Sequence, residues 1–450
     1  MKDDNFLKEN NAKHMWHPMG HPGAVMQSAP KIIVSAEGVR IKDIDGHEVV
    51  DAVGGLWNVN LGYSLDPVKA AVATQLEKLP YYSAFAGSSN DAAIELSWML
   101  RNFFADEGMV RAFFTSGGSD SVETALRLSR QYHKVRGEPQ RTKFLSLQKG
   151  YHGTHFGGAS VNGNNKFRTS YEPLLPGCRH LPAPYLYRNP YGAETSEQLA
   201  QQMLRVAEET IAFEGGDTIA AFIMEPVLGA GGVMVPHETF MPGMRELCDK
   251  HGILMIADEV ITGFGRTGDL SGSRHWGVKP DMMCIAKAIT NGYFPFGACM
   301  LNEKVADVFE QSGAEGFIGH GYTYSAHPVG AAAAVACVAE IERQNVTGNA
   351  TSRGTQMFEG CKRLAEKHEL IGDVRGGHGL MTGVELVSDR ASKTPCDPSV
   401  GARVQQAAYE AGAFLRISGH NILISPPLVL TEADVDAILG AIDAGLSAVA

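Results

Sequence analysis

The stretch Asp281-Met-Met-Cys-Ile-Ala-Lys287 decides how this chain is interpreted, because a lysine directly follows a short apolar run. Lysine side chains are rarely buried unless they are paired or used in chemistry. A second apolar run, Ile253-Leu-Met-Ile-Ala257, ends at the carboxylate of Asp258. Both runs have the length and composition of buried strands. An amine and a carboxylate at the ends of inner strands suit the aldehyde and the ring nitrogen of pyridoxal phosphate (PLP).

Taken alone, Lys287 and Asp258 are also consistent with a structural ion pair at two strand ends. The motifs around them favour the PLP interpretation. They are Thr115-Ser-Gly-Gly-Ser119, Tyr151-His-Gly153, Glu225-Pro226, Ile256-Ala-Asp-Glu-Val-Ile-Thr-Gly-Phe-Gly-Arg-Thr-Gly268 and Tyr322-Thr-Tyr-Ser-Ala-His-Pro328. In this order and at this spacing, the motifs resemble those of the class III aminotransferases, which are PLP-dependent enzymes of fold type I. The resemblance extends over nearly the whole chain.

The residues and the resemblance lead to the same fold class. Short apolar strands alternate with helical stretches, which is typical of a mostly parallel sheet covered by helices. The predicted strands are Ala112–Thr115, Phe144–Leu147, Ile219–Met224, Ile253–Ala257, Met282–Ala286 and Phe296–Leu301. The resemblance implies an α/β protein of PLP-dependent transferase fold type I, with a smaller α+β domain built from both chain termini. We expect an N-terminal arm and part of the small domain in residues 1–65, the large PLP-binding domain in 66–328, and the C-terminal small domain in 329–450.

Several elements outside the central sheet are also predicted. Alternating residues around Asp45-Gly46 indicate a hairpin within residues 31–52, and a helix is expected near residues 66–78. Gly330–Ile341 is expected to be a helix of small residues. Three strands are expected in the last hundred residues, at Gly379–Leu386, Ala413–Arg416 and Ile422–Ser425. Thr431 and Asp434 are expected to cap the final helix.

Composition excludes several classes of protein. The chain has 450 residues, a formal net charge of −11 and a pI near 5.8, which argues against a nucleic-acid partner. Seven dispersed cysteines without a Cys-x-x-Cys motif are typical of reduced intracellular thiols. The first ten residues lack the apolar core of a signal peptide, and no stretch is apolar and long enough to span a bilayer. We therefore expect a cytoplasmic protein without a membrane partner. His14, His17 and His21 have metal-like spacing but no carboxylate or cysteine cluster nearby, so we expect no metal site.

A candidate phosphate site follows the strand that ends at Thr115. The glycine turn at Gly117-Gly118-Ser119 leads into a helix, and Asp120 to Glu123 resemble a capping box at its start. Free N–H groups and the positive end of the dipole make a helix N-terminus suitable for an anion. The alternative is an ordinary strand–turn–helix connection. We predict that Gly118 and Ser119 bind the cofactor phosphate.

The resemblance assigns further roles at the cofactor. It implies that Lys287 is the catalytic residue, which bonds to the cofactor and then moves a proton, and that Asp258 keeps the ring nitrogen protonated. Tyr151 and Val260 would lie against the two faces of the ring. The remaining residues predicted to bind the cofactor are His152, Glu225 and Thr323. His152 is also consistent with a role in orienting its loop, and Glu225 with a structural hydrogen-bond acceptor. Thr323 would reach the phosphate of the neighbouring subunit's cofactor.

A resemblance to the ω-transaminase branch of the family implies which residues bind the substrate. Arg416 resembles the mobile arginine that binds the carboxylate of pyruvate and moves aside for an apolar amine. Trp57 and Tyr151 resemble pocket aromatics, and Phe85 is expected to line the neighbouring subunit's pocket. The alternatives are a surface arginine at position 416 and a core tryptophan at position 57.

The resemblance therefore implies an enzyme that transfers an amino group from an ω-amino acid, such as β-alanine, or an apolar primary amine to pyruvate in a ping-pong reaction. Its partners would be these small molecules and a second copy of the chain, in a homodimer or a dimer of dimers. Three alternatives stay open. One is a different donor of the taurine, polyamine or γ-aminobutyrate (GABA) type. The second is a PLP-dependent dialkyl amino acid decarboxylase or an aminomutase of the same fold. The third is a catalytically inactive relative that acts as a binding or structural protein.

Overall fold

The computed structural model describes residues 3–85 and 87–449 of the chain. Its strands are β1 (Ile33–Glu37), β2 (Arg40–Asp43), β3 (Glu48–Asp51), β4 (Met109–Thr115), β5 (Lys143–Leu147), β6 (Cys178–Leu181), β7 (Ile219–Met224), β8 (Leu254–Asp258), β9 (Met282–Ile285), β10 (Gly297–Asn302), β11 (Ile371–Arg375), β12 (Thr382–Asp389), β13 (Thr394–Pro395), β14 (Ala413–Phe414), β15 (Arg416–Ser418) and β16 (Asn421–Ile424). Its helices are α1 (Asp4–Asn10), α2 (Pro22–Gln27), α3 (Gly54–Trp57), α4 (Asp66–Lys78), α5 (Asp91–Phe103), α6 (Gly118–Val135), α7 (Phe156–Val161), α8 (Ser196–Glu214), α9 (Phe240–His251), α10 (Gly272–His275), α11 (Glu303–Glu310), α12 (Pro328–Gln344), α13 (Val346–Lys367), α14 (Pro398–Glu410) and α15 (Glu432–Ser447).

The central element is a seven-stranded sheet with the order β4-β10-β9-β8-β7-β5-β6. Strands β6, β5, β7, β8 and β9 pair in parallel. Strand β10 runs antiparallel to both of its neighbours, β4 and β9. Every residue of β7 and β8 is buried, as expected for inner strands that are covered on both faces. The prediction of a mostly parallel sheet covered by helices is confirmed.

The predicted central strands agree with the structure to within a few residues at each end, because their apolar runs are continuous. Strand β6 was not predicted. Its sequence, Cys-Arg-His-Leu, carries two polar residues, and the strand lies at an edge of the sheet with only Leu181 buried. An edge strand of this kind lacks the continuous apolar pattern that identified the inner strands.

Residues from both ends of the chain join in a second, four-stranded sheet with the order β1-β2-β3-β14. The predicted hairpin is formed by β2 and β3, which pair antiparallel on either side of Asp45-Gly46. Strand β14 adds in parallel to β3, so that Ala413 lies opposite Val50. This pairing confirms that both chain ends contribute to one smaller unit. The boundaries at residues 65 and 328 stay predictions.

The C-terminal third differs from the prediction at two points. Strands β11 and β13 were not predicted. A single strand was expected at Ala413–Arg416, but the structure divides it into β14 and β15, which belong to different sheets. Strand β15 pairs antiparallel with β16. The other predicted elements of this region are present, and Thr431 and Asp434 form a complete capping box at the start of α15. Within residues 3–85 and 87–449, no helix is long and apolar enough to cross a membrane.

Candidate active site

The two key residues meet at one edge of the central sheet. Asp258 is the last residue of β8, and Lys287 follows β9 by two positions. Because β8 and β9 are adjacent and parallel, their carboxyl ends lie side by side. A cavity of about 370 Å³ opens at this edge, which is within the usual size range of small-ligand sites. Eight of the residues that the sequence analysis singled out line it: Gly118, Ser119, Tyr151, His152, Glu225, Asp258, Val260 and Lys287.

Lys287 is a partly buried lysine that lines this cavity. Its backbone has a positive φ of 50°, which is rare outside glycine. Burial lowers the pKa of Lys287, and the negative charges of Asp258 and Glu225 oppose that shift. In the described part of the chain, no carboxylate lies within ion-pair distance of its Nζ atom. The alternative of a structural ion pair with Asp258 is therefore wrong. A lysine held in this way loses its proton more readily and becomes a nucleophile.

Asp258 instead pairs with His152. The distance from its Oδ2 atom to His152 Nδ1 is 2.7 Å, and its Oδ1 atom accepts a hydrogen bond from the backbone N–H of Val260. Asp258 is 3% exposed, and His152 is 1% exposed. These contacts fix the position and orientation of the carboxylate. His152 therefore does more than orient its loop, because it contacts the carboxylate directly.

Glu225 holds two loops at the edge of the cavity. Its Oε1 atom accepts a hydrogen bond from the backbone N–H of Tyr151, and its Oε2 atom accepts one from Gly229, both at 2.9 Å. Burial raises the pKa of Glu225 to about 7, while the hydrogen bonds from Tyr151 and Gly229 oppose that shift. The cautious interpretation of Glu225 as a structural acceptor is therefore supported by its contacts. It fixes the backbone that carries Tyr151.

The N-terminus of α6 closes another side of the cavity. The helix begins at Gly118, with Gly117 as its N-cap and no side-chain cap, so its first N–H groups have no intrahelical acceptors. A Cβ atom at Gly118 would lie 2.9 Å from Val260 Cγ1, so glycine allows the helix to approach Val260 closely. Ser119 contributes a hydroxyl whose oxygen accepts a hydrogen bond from the backbone of Thr154.

The predicted capping box at Asp120 and Glu123 is wrong. The helix begins two residues before Asp120, whose carboxylate accepts a hydrogen bond from the backbone of Ser116. The carboxylate of Glu123 accepts a hydrogen bond from the backbone of Gly157 instead of reaching back to the helix start. The glycine turn, and not the acidic pair, therefore defines the N-terminus that faces the cavity.

Arg416 lies on β15, next to the same cavity. Its side chain is partly buried, and its positive charge favours a lower pKa for both Tyr151 and Lys287. Burial lowers the pKa of Arg416. Among residues 3–85 and 87–449, no side chain or carbonyl forms an ion pair or hydrogen bond with its guanidinium. Tyr151 packs at 4.8 Å between ring centroids against Phe167.

Arg416 and three further predicted site residues lie outside the lining of this cavity. The three are Trp57, Phe85 and Thr323. Trp57 is 1% exposed and has a positive φ of 64°, and its indole Nε1 has no described hydrogen-bond partner. Phe85 is 53% exposed. Thr323 is also on the surface, and its carbonyl accepts a hydrogen bond from the Tyr81 hydroxyl. The roles of all three residues stay predictions.

Several residues of the lining were not predicted from the sequence. Asn58 and Phe294 both face the cavity. Asn58 directly follows Trp57, and Phe294 lies two residues beyond the Lys287–Gly292 motif. A wider window around each motif would have included them.

Comparisons with known proteins identify the family. Residues 24–446 match the family model of the class III aminotransferases. The chain is 38% identical to the diaminobutyrate–2-oxoglutarate transaminase of Halomonas elongata, over 91% of this chain and 88% of that protein. It is 35% identical to the putrescine–pyruvate aminotransferase of Pseudomonas aeruginosa, over 92% and 90% of the two chains. The chain belongs to the class III aminotransferases.

Solved structures agree with this assignment. The crystal structure of an amine transaminase from an uncultivated Pseudomonas species, in its PLP-bound form, superposes with a TM-score of 0.95 at 46% identity and covers 97% of this chain and 99% of that one. Further structural neighbours are ω-transaminases. The chain is therefore a PLP-dependent aminotransferase of fold type I, which uses an amine donor and a keto-acid acceptor.

The residues of the cavity fit PLP. A partly buried amine, a buried carboxylate with a histidine partner, and a helix N-terminus without a side-chain cap surround a single space. They match the aldehyde, the ring nitrogen and the phosphate of the cofactor. When bound, PLP supplies an electron-withdrawing ring that stabilises negative charge on the carbon next to the transferred amino group.

Proposed function

We propose that this enzyme transfers the amino group of an ω-amino acid or an apolar primary amine to pyruvate by a ping-pong mechanism. The observation that carries the proposal is the guanidinium of Arg416, which lies near Tyr151 and Lys287 and has no partner among the described residues. A partly buried cation without a partner is costly unless an anion neutralises it. Arginine forms paired hydrogen bonds with carboxylates, and pyruvate carries one carboxylate beside its reacting carbonyl.

Each residue around the cofactor has a separate role in the proposed reaction. Lys287 would hold the aldehyde of the bound cofactor, and its amine would supply the base and acid for proton transfer next to the transferred nitrogen. The negative charge of Asp258, held by His152, keeps the ring nitrogen protonated. Tyr151 and Val260 would contact the two faces of the ring, and Gly118 and Ser119 would bind the phosphate. Glu225 positions Tyr151 through its backbone contact.

The donor must enter the same space as the acceptor in a ping-pong reaction. An apolar amine has no carboxylate, so the arginine must turn away from its tail, whereas an ω-amino acid presents a carboxylate to it. Trp57 would bound this part of the pocket. The two curated relatives described above use different acceptors, 2-oxoglutarate and pyruvate. Arg416 accounts for one acceptor carboxylate, which favours pyruvate.

The protein is proposed to act as a homodimer or a dimer of dimers. Phe85 and Thr323 lie outside this chain's own cavity, on one surface with the exposed aromatic side chains of Tyr81, Tyr82 and Tyr324. Contiguous exposed apolar groups mark an interaction surface. Sedimentation under assay conditions tests this proposal, and a fully active monomer would contradict it.

A substrate panel tests the proposed reaction. β-Alanine and a neutral amine should each convert pyruvate to alanine, and pyruvate should give a higher kcat/KM than 2-oxoglutarate. Initial rates at varied concentrations of both substrates should give parallel double-reciprocal lines, as a ping-pong mechanism requires. Release of carbon dioxide from a dialkyl amino acid would favour the decarboxylase instead. A preference for 2-oxoglutarate would overturn the acceptor assignment.

A further inference from the structure

A second positive side chain lies beside Arg416. Arg416 and Ser418 are two positions apart on β15, so their side chains point to the same face of the strand. The Nζ atom of Lys166 lies 3.5 Å from Ser418 Oγ. Lys166 therefore reaches over the face of β15 that carries Arg416. We call Lys166 and Arg416 the cationic pair.

The segment that carries Lys166 is anchored at the active site. Residues Asn165–Phe167 form a short 3-10 helix. The ring of Phe167 packs against Tyr151, which lines the cavity. The ammonium group of Lys166 lies 5.0 Å from the centroid of the Phe167 ring. This packing holds Lys166 between the cavity-lining Tyr151 and strand β15.

The cationic pair has no acidic partner among residues 3–85 and 87–449. Loss of solvent lowers the pKa of Lys166, and the positive charge of Arg416 lowers it further. Two adjacent cations without an acid create a local positive potential at this end of the site.

This potential acts on the far end of a donor molecule. The reacting amino group must reach Lys287, which lines the cavity. The positive charge of Arg416, on β15, lowers the pKa of the Lys287 amine. A donor chain that extends toward β15 brings its other end to the cationic pair. A carboxylate there is attracted, a methyl group is unaffected, and a second ammonium group is repelled.

We propose that Lys166, together with Arg416, selects amine donors by the charge at their far end. The enzyme then favours ω-amino carboxylates over diamines of the same chain length. This inference rests on the proposed transamination, and it names Lys166 as a specificity-determining residue. It also separates this enzyme from relatives that act on diamines such as putrescine.

Three donors with the same four-carbon chain test the inference: 4-aminobutyrate, butylamine and putrescine. They carry a negative, a neutral and a positive far end. With pyruvate as acceptor, kcat/KM should be highest for 4-aminobutyrate, intermediate for butylamine and lowest for putrescine. Lys166→Met should reduce the ratio of 4-aminobutyrate to putrescine roughly three- to tenfold, and Lys166→Glu should reduce it further, since charge reversal adds repulsion to lost attraction. The kcat/KM for butylamine should stay within about threefold.

A matched control separates the local charge from the net charge. Lys279 is exposed, and none of its atoms forms an ion pair within residues 3–85 and 87–449. Lys279→Glu changes the net charge by the same amount as Lys166→Glu. It should nevertheless leave the kcat/KM ratio of 4-aminobutyrate to putrescine unchanged. Unchanged ratios in Lys166→Glu, or equal changes in both variants, would overturn the inference.

Binding of an unreactive carboxylate gives a second readout that does not depend on turnover. Butyrate has the chain and carboxylate of 4-aminobutyrate but no amine, and calorimetry measures its affinity for the PLP-loaded enzyme. We expect Lys166→Glu to weaken butyrate binding roughly three- to tenfold and Lys279→Glu to leave it unchanged. If pyruvate were not an acceptor, the proposed function would fail, but the butyrate affinities would still decide the role of Lys166. Equal affinities in the wild type and Lys166→Glu would overturn it.

Discussion

The charged side chains at the two ends of the active site differ in how they are paired. At the cofactor end, the carboxylates of Asp258 and Glu225 are buried, and each accepts hydrogen bonds from other parts of the chain. At the substrate end, Arg416 and Lys166 are cations without an acidic partner among the described residues. The negative groups are therefore fixed by the fold, whereas the positive groups are left for a ligand.

This difference matches what each end has to do. The cofactor stays through many reaction cycles, and preorganised groups around it need no rearrangement during the reaction. The substrate end must accept two molecules in turn, one with a carboxylate and one that can lack it. A cation that is neutralised by the protein would gain little from binding a carboxylate, so an unpaired cation provides the selectivity.

The largest expected effect is at Lys287. Lys287→Ala should lose the visible absorbance of the lysine-linked cofactor, and kcat should fall by at least about 10²–10⁴-fold, which is the usual contribution of a positioned base. Absorbance spectra and rates with β-alanine and pyruvate measure both effects. Lys149→Ala, at another lysine with positive φ, is the control and should keep the absorbance. Near-normal turnover in Lys287→Ala would contradict the assignment.

Asp258→Asn should have the next largest effect. The variant should still bind PLP, but loss of the carboxylate charge should slow both half-reactions by roughly 10²–10³-fold, as the loss of a preorganised electrostatic contact does in other enzymes. Asp269→Asn is a matched control, because Asp269 also pairs with a histidine, His275, at 2.7 Å but outside the cavity. Rates in Asp258→Asn within a fewfold of wild type would show that Asp258 does not act on the ring.

A smaller effect is expected from Glu225, on stability. Folding raises the pKa of Glu225 from about 4.5 to about 7, because burial opposes its charge. The favourable contribution of Glu225 to the free energy of unfolding is therefore complete below about pH 4.5 and is lost as the pH rises through about 7. The Tm of the cofactor-free Glu225→Gln variant, measured relative to wild type, should rise by a few degrees between pH 5 and pH 8. Glu77→Gln, at an exposed glutamate, should show no such trend, and a pH-independent difference for Glu225→Gln would be inconsistent with a buried charge.

The sequence predicts the inner part of this molecule better than its edges. Strands β7 and β8 are continuous apolar runs, so burial on both faces is visible in the residues themselves. Strand β6 is an edge strand with two polar residues, and its pairing with β5 cannot be recognised locally. The start of α6 was misplaced because glycine provides the N-cap and leaves no side-chain signal.

The candidate site shows the same limit. The motifs predicted Lys287, Asp258 and Glu225 as members of one site, because each stands at the end of a buried strand. The contact between His152 and Asp258 joins residues 106 positions apart, and only the tertiary structure reveals it. The absence of an acidic partner around Arg416 and Lys166 is likewise a property of the folded chain, so the pattern of residues could not have predicted it.

The most direct test of the contrast between the two ends is to measure the two half-reactions of Arg416→Ala separately. Single-turnover rates with pyruvate should fall roughly ten- to hundredfold, because a charge-assisted paired contact with the carboxylate is lost. Rates with an apolar amine should stay within about threefold of wild type, since this donor has no carboxylate to lose. Arg416→Lys, which keeps the charge but not the paired geometry, should lie between the two. Equal losses in both half-reactions would contradict the account and would mark Arg416 as a structural residue.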